Sequence, residues 1–98
     1  MDVSFTLNEI DFKWNGRKAA ANLRKHEISF ETAAEVFFDP FVHVLDAGTV
    51  ESEQREAVIG MTVSWHLLYV VYVENDDVIR IISARLANKA EREAYESQ

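Results

Sequence analysis

The clearest helical pattern in the chain lies between Ser29 and Pro40. Its apolar side chains recur every three or four residues and so share one face of a helix; they are Phe30, Ala33, Ala34, Phe37 and Phe38. Ser29 is a favourable residue for the start of a helix, and Asp39 before Pro40 favours its end. The pattern predicts an amphipathic helix that packs through its phenylalanines.

A second helix is predicted immediately before this one. Apolar and polar positions alternate from Ile10 to Trp14, which is typical of a short strand, and Asn15 can cap the helix that follows. We expect this helix to bury a narrow apolar stripe and to expose its charged residues. The stripe consists of Ala19, Ala20 and Leu23, close to Trp14.

From residue 41 onward the pattern is that of β-strands. A short apolar run occupies 41–45, and three later segments are rich in β-branched and aromatic residues, at 56–63, 65–74 and 78–85. The almost wholly apolar run 67–73 predicts a strand in the middle of the sheet. The polar segment 75–77 favours a hairpin turn, whereas the acidic, glycine-containing segment 47–54 predicts a mobile loop.

The order of these elements predicts an α+β fold. Asn88 and Glu91 match a capping box for a last helix that ends near Glu96, so the order is β-α-α-β-β-β-β-α. Helices and strands grouped in this way favour an antiparallel sheet with helices packed on one face and a short C-terminal helix. At 98 residues, the chain is expected to form a single domain over 1–98.

Composition narrows the class of protein. Hydrophobic residues make up 48% of the chain, which is typical of a globular domain. The absence of cysteine removes disulfides, thiolate catalysis and cysteine zinc sites, and no histidine spacing indicates another metal site. No segment approaches the roughly 18 apolar residues of a membrane span, and no signal-peptide pattern is present. We therefore expect a soluble, cytoplasmic protein without membrane contacts.

Positive charge is concentrated in two segments of an acidic chain. The formal net charge is −7, yet 13–26 holds five basic residues and no acid, and 78–92 holds four basic residues against Glu91 alone. A local field matters more to a ligand than the net charge does. The distribution predicts two basic surfaces on an acidic body.

Four motifs follow one another along the chain. They are W-N-x-x-K-A-x-x-N-x-x-K-H from Trp14 to His26, S-F-E-x-A-x-x-V-F-x-D-P from Ser29 to Pro40, R-I-I-S-A-R from Arg80 to Arg85, and E-x-x-x-Y at Glu91 and Tyr95. In this order, over 12–96, the chain resembles the BrnT family of toxins, which belongs to the RelE-like group of bacterial toxin–antitoxin systems. Glu27 stands where this family usually has glycine.

The resemblance implies a ribonuclease toxin that cleaves RNA, blocks translation and is neutralised by a BrnA-like antitoxin with a ribbon-helix-helix domain. It also implies a 2:2 heterotetramer that represses its own operon, so that DNA is contacted only through the antitoxin. Two alternatives stay open: a member that has lost cleavage and acts only as a co-repressor partner, and a stand-alone RNA-binding domain.

RNA cleavage of this kind needs no metal or cofactor, because the ribose 2′-hydroxyl attacks the adjacent phosphate. Arg80 and Arg85 are the candidates to stabilise the phosphate charge, since a guanidinium forks onto phosphate oxygens. Their spacing of five places them on opposite faces of a regular strand, so a bulge or a strand end near Ser83 is needed to bring them together. Each arginine is equally a candidate for a structural ion pair.

His26, beside Lys25, is the candidate acid or base, although a histidine that closes a helix is also commonly structural. Glu91 is a candidate catalytic residue or only a helix cap. The remaining predicted RNA contacts are Lys18, Arg24, Lys25, Lys89, Arg92 and Tyr95. Surface lysines are equally typical of a solvated helix face, and the sequence leaves both interpretations open.

Overall fold

Six strands and three helices make up the protein, and the computed structural model describes all 98 residues. The elements, in chain order, are β1 (Asp2–Leu7), β2 (Ile10–Asn15), α1 (Gly16–His26), α2 (Phe30–Ala34), a 3₁₀ turn (Glu35–Phe38), β3 (His43–Val50), β4 (Glu53–Met61), β5 (Leu67–Asn75), β6 (Val78–Leu86) and α3 (Lys89–Glu96). The predicted α+β fold is confirmed. None of the three helices is long and apolar enough to cross a membrane.

The strands form one sheet in the order β1-β2-β6-β5-β4-β3. Adjacent strands are antiparallel except β2 and β6, which run parallel over 78–80 of β6. The sheet is therefore mixed, whereas the sequence favoured an antiparallel one. The expectation for β5 is confirmed, since it lies between β6 and β4.

The two ends of the sheet differ most from the prediction. The segment before Ile10 forms an additional strand, β1, and the segment 47–54 is not a loop but the end of β3 and the start of β4. Both β1 and β3 are edge strands. The segment 47–54 is polar and mostly exposed, so its sequence resembles that of a loop. In β1, by contrast, Val3, Phe5 and Leu7 alternate with polar residues and pack against the core.

Three hairpin turns of two residues are built without glycine. Both residues have positive φ in each turn: Asn8 and Glu9 (49° and 68°), Glu51 and Ser52 (51° and 67°), and Asp76 and Asp77 (49° and 68°). This is the backbone of type I′ turns, which fit the twist of antiparallel strands. The turn predicted at 75–77 is confirmed.

The main core lies between one face of the sheet and the helices α1 and α2. Phe30 of α2 is fully buried and meets the ring of Trp14 edge-on, with centroids 5.8 Å apart. The helix caps are those predicted: Asn15 accepts from Arg17 and Lys18, Ser29 accepts from Thr32, and Asn88 and Glu91 form a capping box.

The buried face of α1 is not the predicted apolar stripe. Leu23 is 50% exposed and Ala20 is also exposed, whereas Asn22 is only 8% exposed. Asn22, and not Leu23, faces the sheet because its side-chain amide forms hydrogen bonds with the backbone of Ala84 in β6, where β2 no longer pairs with this strand. The expected stripe was wrong in this respect.

Candidate functional site

A bulge in β6 determines where its two arginines point. Val71 pairs with Ser83 and the next residue, Tyr72, pairs with Ile81, so Ile82 is an extra residue in β6. In a regular strand, their spacing of five would place Arg80 and Arg85 on opposite faces. Because the bulge takes up one residue, both lie on the face of the sheet opposite α1, and the bulge expected near Ser83 is present.

Arg85 is held above an aromatic ring by a carboxylate. Its guanidinium carbon lies 4.3 Å from the ring centroid of Tyr69, its cross-strand partner. Nη1 and Nη2 donate to Oε1 and Oε2 of Glu91 at 2.8 and 2.9 Å. The plane of the guanidinium is therefore fixed on one side by an oxyanion and on another by a π-face.

This pairing shifts the ionisation of both partners. The hydrogen bond from Arg85 lowers the pKa of Glu91 despite its partial burial, and the bond from the Asn88 amide adds to this. The same hydrogen bond raises the pKa of Arg85. Because a carboxylate with a lowered pKa is a weak base, the geometry favours a positioning role for Glu91 over proton abstraction.

Tyr95 is tied to the sheet through Asp39. Its hydroxyl donates to Oδ2 of Asp39 at 2.5 Å, and Asp39 also accepts from the amides of Phe41 and Met61 at 2.8 Å each. Burial opposes the ionisation of Asp39, but these three hydrogen bonds lower its pKa overall. Burial and Asp39 together raise the pKa of Tyr95 to about 12. Tyr95 thus has a structural partner at the position where the sequence suggested an RNA contact.

Arg80 lies further along the same face. Its Nη2 is 3.4 Å from Oδ1 of Asp2, and Lys13 Nζ is 3.9 Å from the other oxygen of that carboxylate. The cross-strand partners of Arg80 and Arg85 are four residues apart on β5, a distance of about 13 Å along the strand. The two arginines share a face without touching one another.

His26 lies on the other side of the sheet. It lines a cleft of about 430 Å³ together with His66, Thr32 and Ser64. Leu86 belongs to this cleft, and its neighbour Arg85 points to the opposite face, so the structure does not bring His26 and Arg85 together. The histidine pair was not foreseen, because 40 residues separate its members and no local motif links them.

The remaining predicted RNA contacts are exposed on two separate helices. Lys18, Arg24 and Lys25 are on the surface of α1, and Lys89 and Arg92 are on the surface of α3. Lys18 shares a cleft of about 290 Å³ with Arg55 and two acids of the β3–β4 hairpin. No group of three or more His, Asp or Glu side chains is placed to hold a metal ion.

Comparisons with known proteins agree with this architecture. The family described as "Ribonuclease toxin, BrnT, of type II toxin-antitoxin system" matches residues 14–91. Among solved structures, the 1.1 Å crystal structure of the Brucella abortus ribonuclease toxin BrnT is similar, with a TM-score of 0.59 and 19% identity over 78% of this chain and 94% of that chain. At this identity the likeness concerns the fold. No curated protein matches the chain.

Proposed function

Because the chain belongs to the BrnT family of ribonuclease toxins of type II toxin–antitoxin systems, we propose that it cleaves RNA, inhibits translation and is neutralised by a BrnA-like antitoxin. The geometry around Arg85 is the observation that supports the proposal. The guanidinium of Arg85 already forks onto an oxyanion above the ring of Tyr69. The same fork suits the oxygens of a phosphate group.

In the proposed reaction, the ribose 2′-hydroxyl gives its proton to water and attacks the adjacent phosphorus. The bond from phosphorus to the 5′-oxygen breaks and that oxygen takes a proton from water, which leaves a 2′,3′-cyclic phosphate and a 5′-hydroxyl. Arg85 stabilises the charge on the phosphorane, and Glu91 holds the guanidinium in plane until phosphate competes for it. The reaction as proposed uses no metal or cofactor, so cleavage is expected to persist in excess EDTA.

Arg80 and the exposed cations of α3 extend this surface. Arg80 is on the same face as Arg85, and Lys89 and Arg92 flank Glu91 on α3. We assign these residues to the RNA backbone, where each contact contributes to a salt-dependent affinity. His26, Lys18, Arg24 and Lys25 belong to a second candidate surface on and beside α1, and His26→Gln in the cleavage assay decides whether that surface contributes.

Induced expression and a purified cleavage assay test the proposal together. Wild-type protein should arrest growth and cleave RNA, and Arg85→Ala should lower the cleavage rate by about 10²- to 10³-fold. Arg17→Ala, which removes an exposed arginine of α1, is the matched control and should retain activity. A folded Arg80→Ala, Arg85→Ala double variant that cleaves at the wild-type rate would contradict this site.

The antitoxin is proposed to be a ribbon-helix-helix protein that assembles with the toxin in a 2:2 heterotetramer. Membership of a type II system implies an antitoxin partner. Light scattering on the toxin co-purified with the product of its neighbouring reading frame measures the stoichiometry. Separate elution of the two proteins at micromolar concentration is the contrary result.

A second function is favoured by one observation. Both candidate arginines are paired with acids in this chain, Arg80 with Asp2 and Arg85 with Glu91, and the net charge is −7. A member that has lost cleavage and serves only as the co-repressor partner of a DNA-binding antitoxin would tolerate such pairing. It would bind the antitoxin but would not arrest growth when expressed alone.

A further inference from the structure

Three large apolar side chains stand exposed around one groove. Phe41 is 66% exposed, Val63 80% and Trp65 82%. The groove measures about 380 Å³, and Phe38, Pro40 and Met61 form the rest of its apolar wall. A cluster of aromatic and aliphatic residues in solvent is costly for a small soluble domain and is typical of an interaction surface.

The frame of the groove is rigid because two carboxylates link its walls. Glu35 Oε1 accepts from the Val63 amide at 3.0 Å. Asp39 joins the end of β4, the loop before β3 and α3 through its bonds to Met61, Phe41 and Tyr95. A preformed groove loses little conformational entropy when it is filled.

A tight turn, and not packing against other side chains, holds Trp65 in its exposed position. The φ of Trp65 is +67°, a conformation that is unfavourable for a bulky residue. The turn is closed by Thr62, whose amide donates to the His66 carbonyl at 2.9 Å and whose hydroxyl accepts from the His66 amide at 3.0 Å. A strained backbone that holds an exposed indole contributes nothing to the core, which favours a role for Trp65 in binding.

The charges of the groove select its occupant. Glu35 and Asp39 are its charged lining residues, and no lysine or arginine lines it. A second copy of the chain would bring the same acids and a further net charge of −7, and an anionic lipid surface would be repelled in the same way. An apolar segment that carries lysine or arginine is complementary.

We propose that this groove is the docking surface for a basic amphipathic helix of the antitoxin, an inference that rests on the proposed toxin–antitoxin function. Such a helix inserts apolar side chains spaced by three or four residues into the groove and places a cation at the free oxygen of Glu35. Tyr95 lines the groove, and Glu91, one helical turn earlier, binds Arg85. The bound helix therefore lies beside the proposed phosphate site and obstructs RNA.

Affinity for the ribbon-helix-helix protein encoded by the neighbouring reading frame tests the surface. Trp65→Ser and Phe41→Ser should each weaken binding at least ten-fold, whereas Leu23→Ser should change it less than two-fold. Leu23 is a matched control, since it is 50% exposed on α1, outside the groove. Glu35→Gln keeps the acceptor for Val63 and should weaken binding and reduce its salt dependence.

Tryptophan fluorescence and growth arrest provide a second test of the docking surface. Trp14 is buried and Trp65 is exposed, so docking should shift the tryptophan emission to shorter wavelength in wild type and not in Trp65→Ser. When expressed together with the antitoxin, Trp65→Ser should still arrest growth because it escapes neutralisation. If wild type neither arrests growth nor cleaves RNA, the ribonuclease proposal fails, and the binding arm still decides the docking surface.

Three results would overturn the docking surface. Equal affinities for wild type, Trp65→Ser and Phe41→Ser exclude the groove from the interface. Self-association of wild type alone that Trp65→Ser abolishes assigns the groove to a second copy. Binding of wild type, but not Trp65→Ser, to vesicles of anionic phospholipid assigns it to a membrane.

Discussion

Asn22 of α1 and Ala84 of β6 are joined by a pair of hydrogen bonds across the core. Nδ2 of Asn22 donates to the Ala84 carbonyl at 2.8 Å, and the Ala84 amide donates to Oδ1 of Asn22 at 3.1 Å. The parallel partner β2 pairs with β6 only over 78–80, so Asn22 takes the place of a strand neighbour further along. Its third bond, to the Ile28 carbonyl at 3.0 Å, ties the start of α2 to the same point.

Removal of this side chain should destabilise the fold. Asn22→Ala leaves a buried amide and two carbonyls without partners, and we expect a loss of about 2 to 4 kcal/mol in the free energy of unfolding. Urea denaturation measures it. Leu23→Ala, one residue further along α1 and half exposed, should change the free energy by less than about 0.5 kcal/mol. If Asn22→Ala and Leu23→Ala lower the free energy of unfolding equally, the hydrogen bonds of Asn22 make no specific contribution to stability.

Glycine at residue 27 should stabilise the protein. Glu27 follows α1 with φ +60°, a left-handed conformation that glycine adopts without steric cost. Glu27→Gly should therefore raise the free energy of unfolding by about 0.5 to 1 kcal/mol. Glu27→Ala removes the same charge but keeps the strain, so the difference between the two variants isolates the backbone term. If Glu27→Gly is no more stable than Glu27→Ala, the left-handed conformation at residue 27 does not destabilise the protein.

The contribution of Glu91 to the free energy of unfolding should be lost at acid pH. Its pKa is lowered in the folded protein, so its contribution is present above the ordinary value near 4.5 and is lost as the pH falls through the folded value. Glu91→Gln should reduce stability at pH 7 by about 1 kcal/mol and progressively less below pH 4.5. Urea midpoints at pH 7 and pH 3 measure this. A constant difference would show that ionisation of Glu91 is not involved.

Lysine should not replace arginine at residue 85. An ammonium group carries the charge but cannot make two parallel hydrogen bonds or lie flat on Tyr69. Arg85→Lys should therefore retain little of the RNA cleavage rate, close to that of Arg85→Ala, while circular dichroism and antitoxin binding stay unchanged. Near-normal cleavage by Arg85→Lys would reduce the role of this residue to charge alone.

Local signals in the sequence carried a large part of this fold. The caps at Asn15, Ser29 and Asn88, the turn after Asn75 and the interior position of β5 are confirmed, because each depends on residues that are close in sequence or on a continuous apolar run. The strand residues at 47–54 were missed because they are polar and mostly exposed, and β1 was missed although Val3, Phe5 and Leu7 alternate with polar residues. The hydrogen bonds between Asn22 and Ala84 were missed because the two residues are 62 positions apart in the sequence.

The candidate site divides in the same way. The pairing of Arg85 with a group six residues later is a local relationship, although the sequence did not indicate that the pair would bind as a fork. The groove around Trp65 and the cleft shared by His26 and His66 arise only when distant segments meet. Patterns of period two or 3.6 contain no information on such meetings.

The extra residue in β6 determines how this strand responds to a change in chain length. In a gene that lost the codon for Ile82, Arg80 and Arg85 would be four residues apart, and a regular strand with the same cross-strand partners would keep both on the face of Val73 and Tyr69. Ala84 would still pair with Val70 and face the core. The bulge is therefore a place where the gene can lose one codon while the positive charge keeps its side of the sheet.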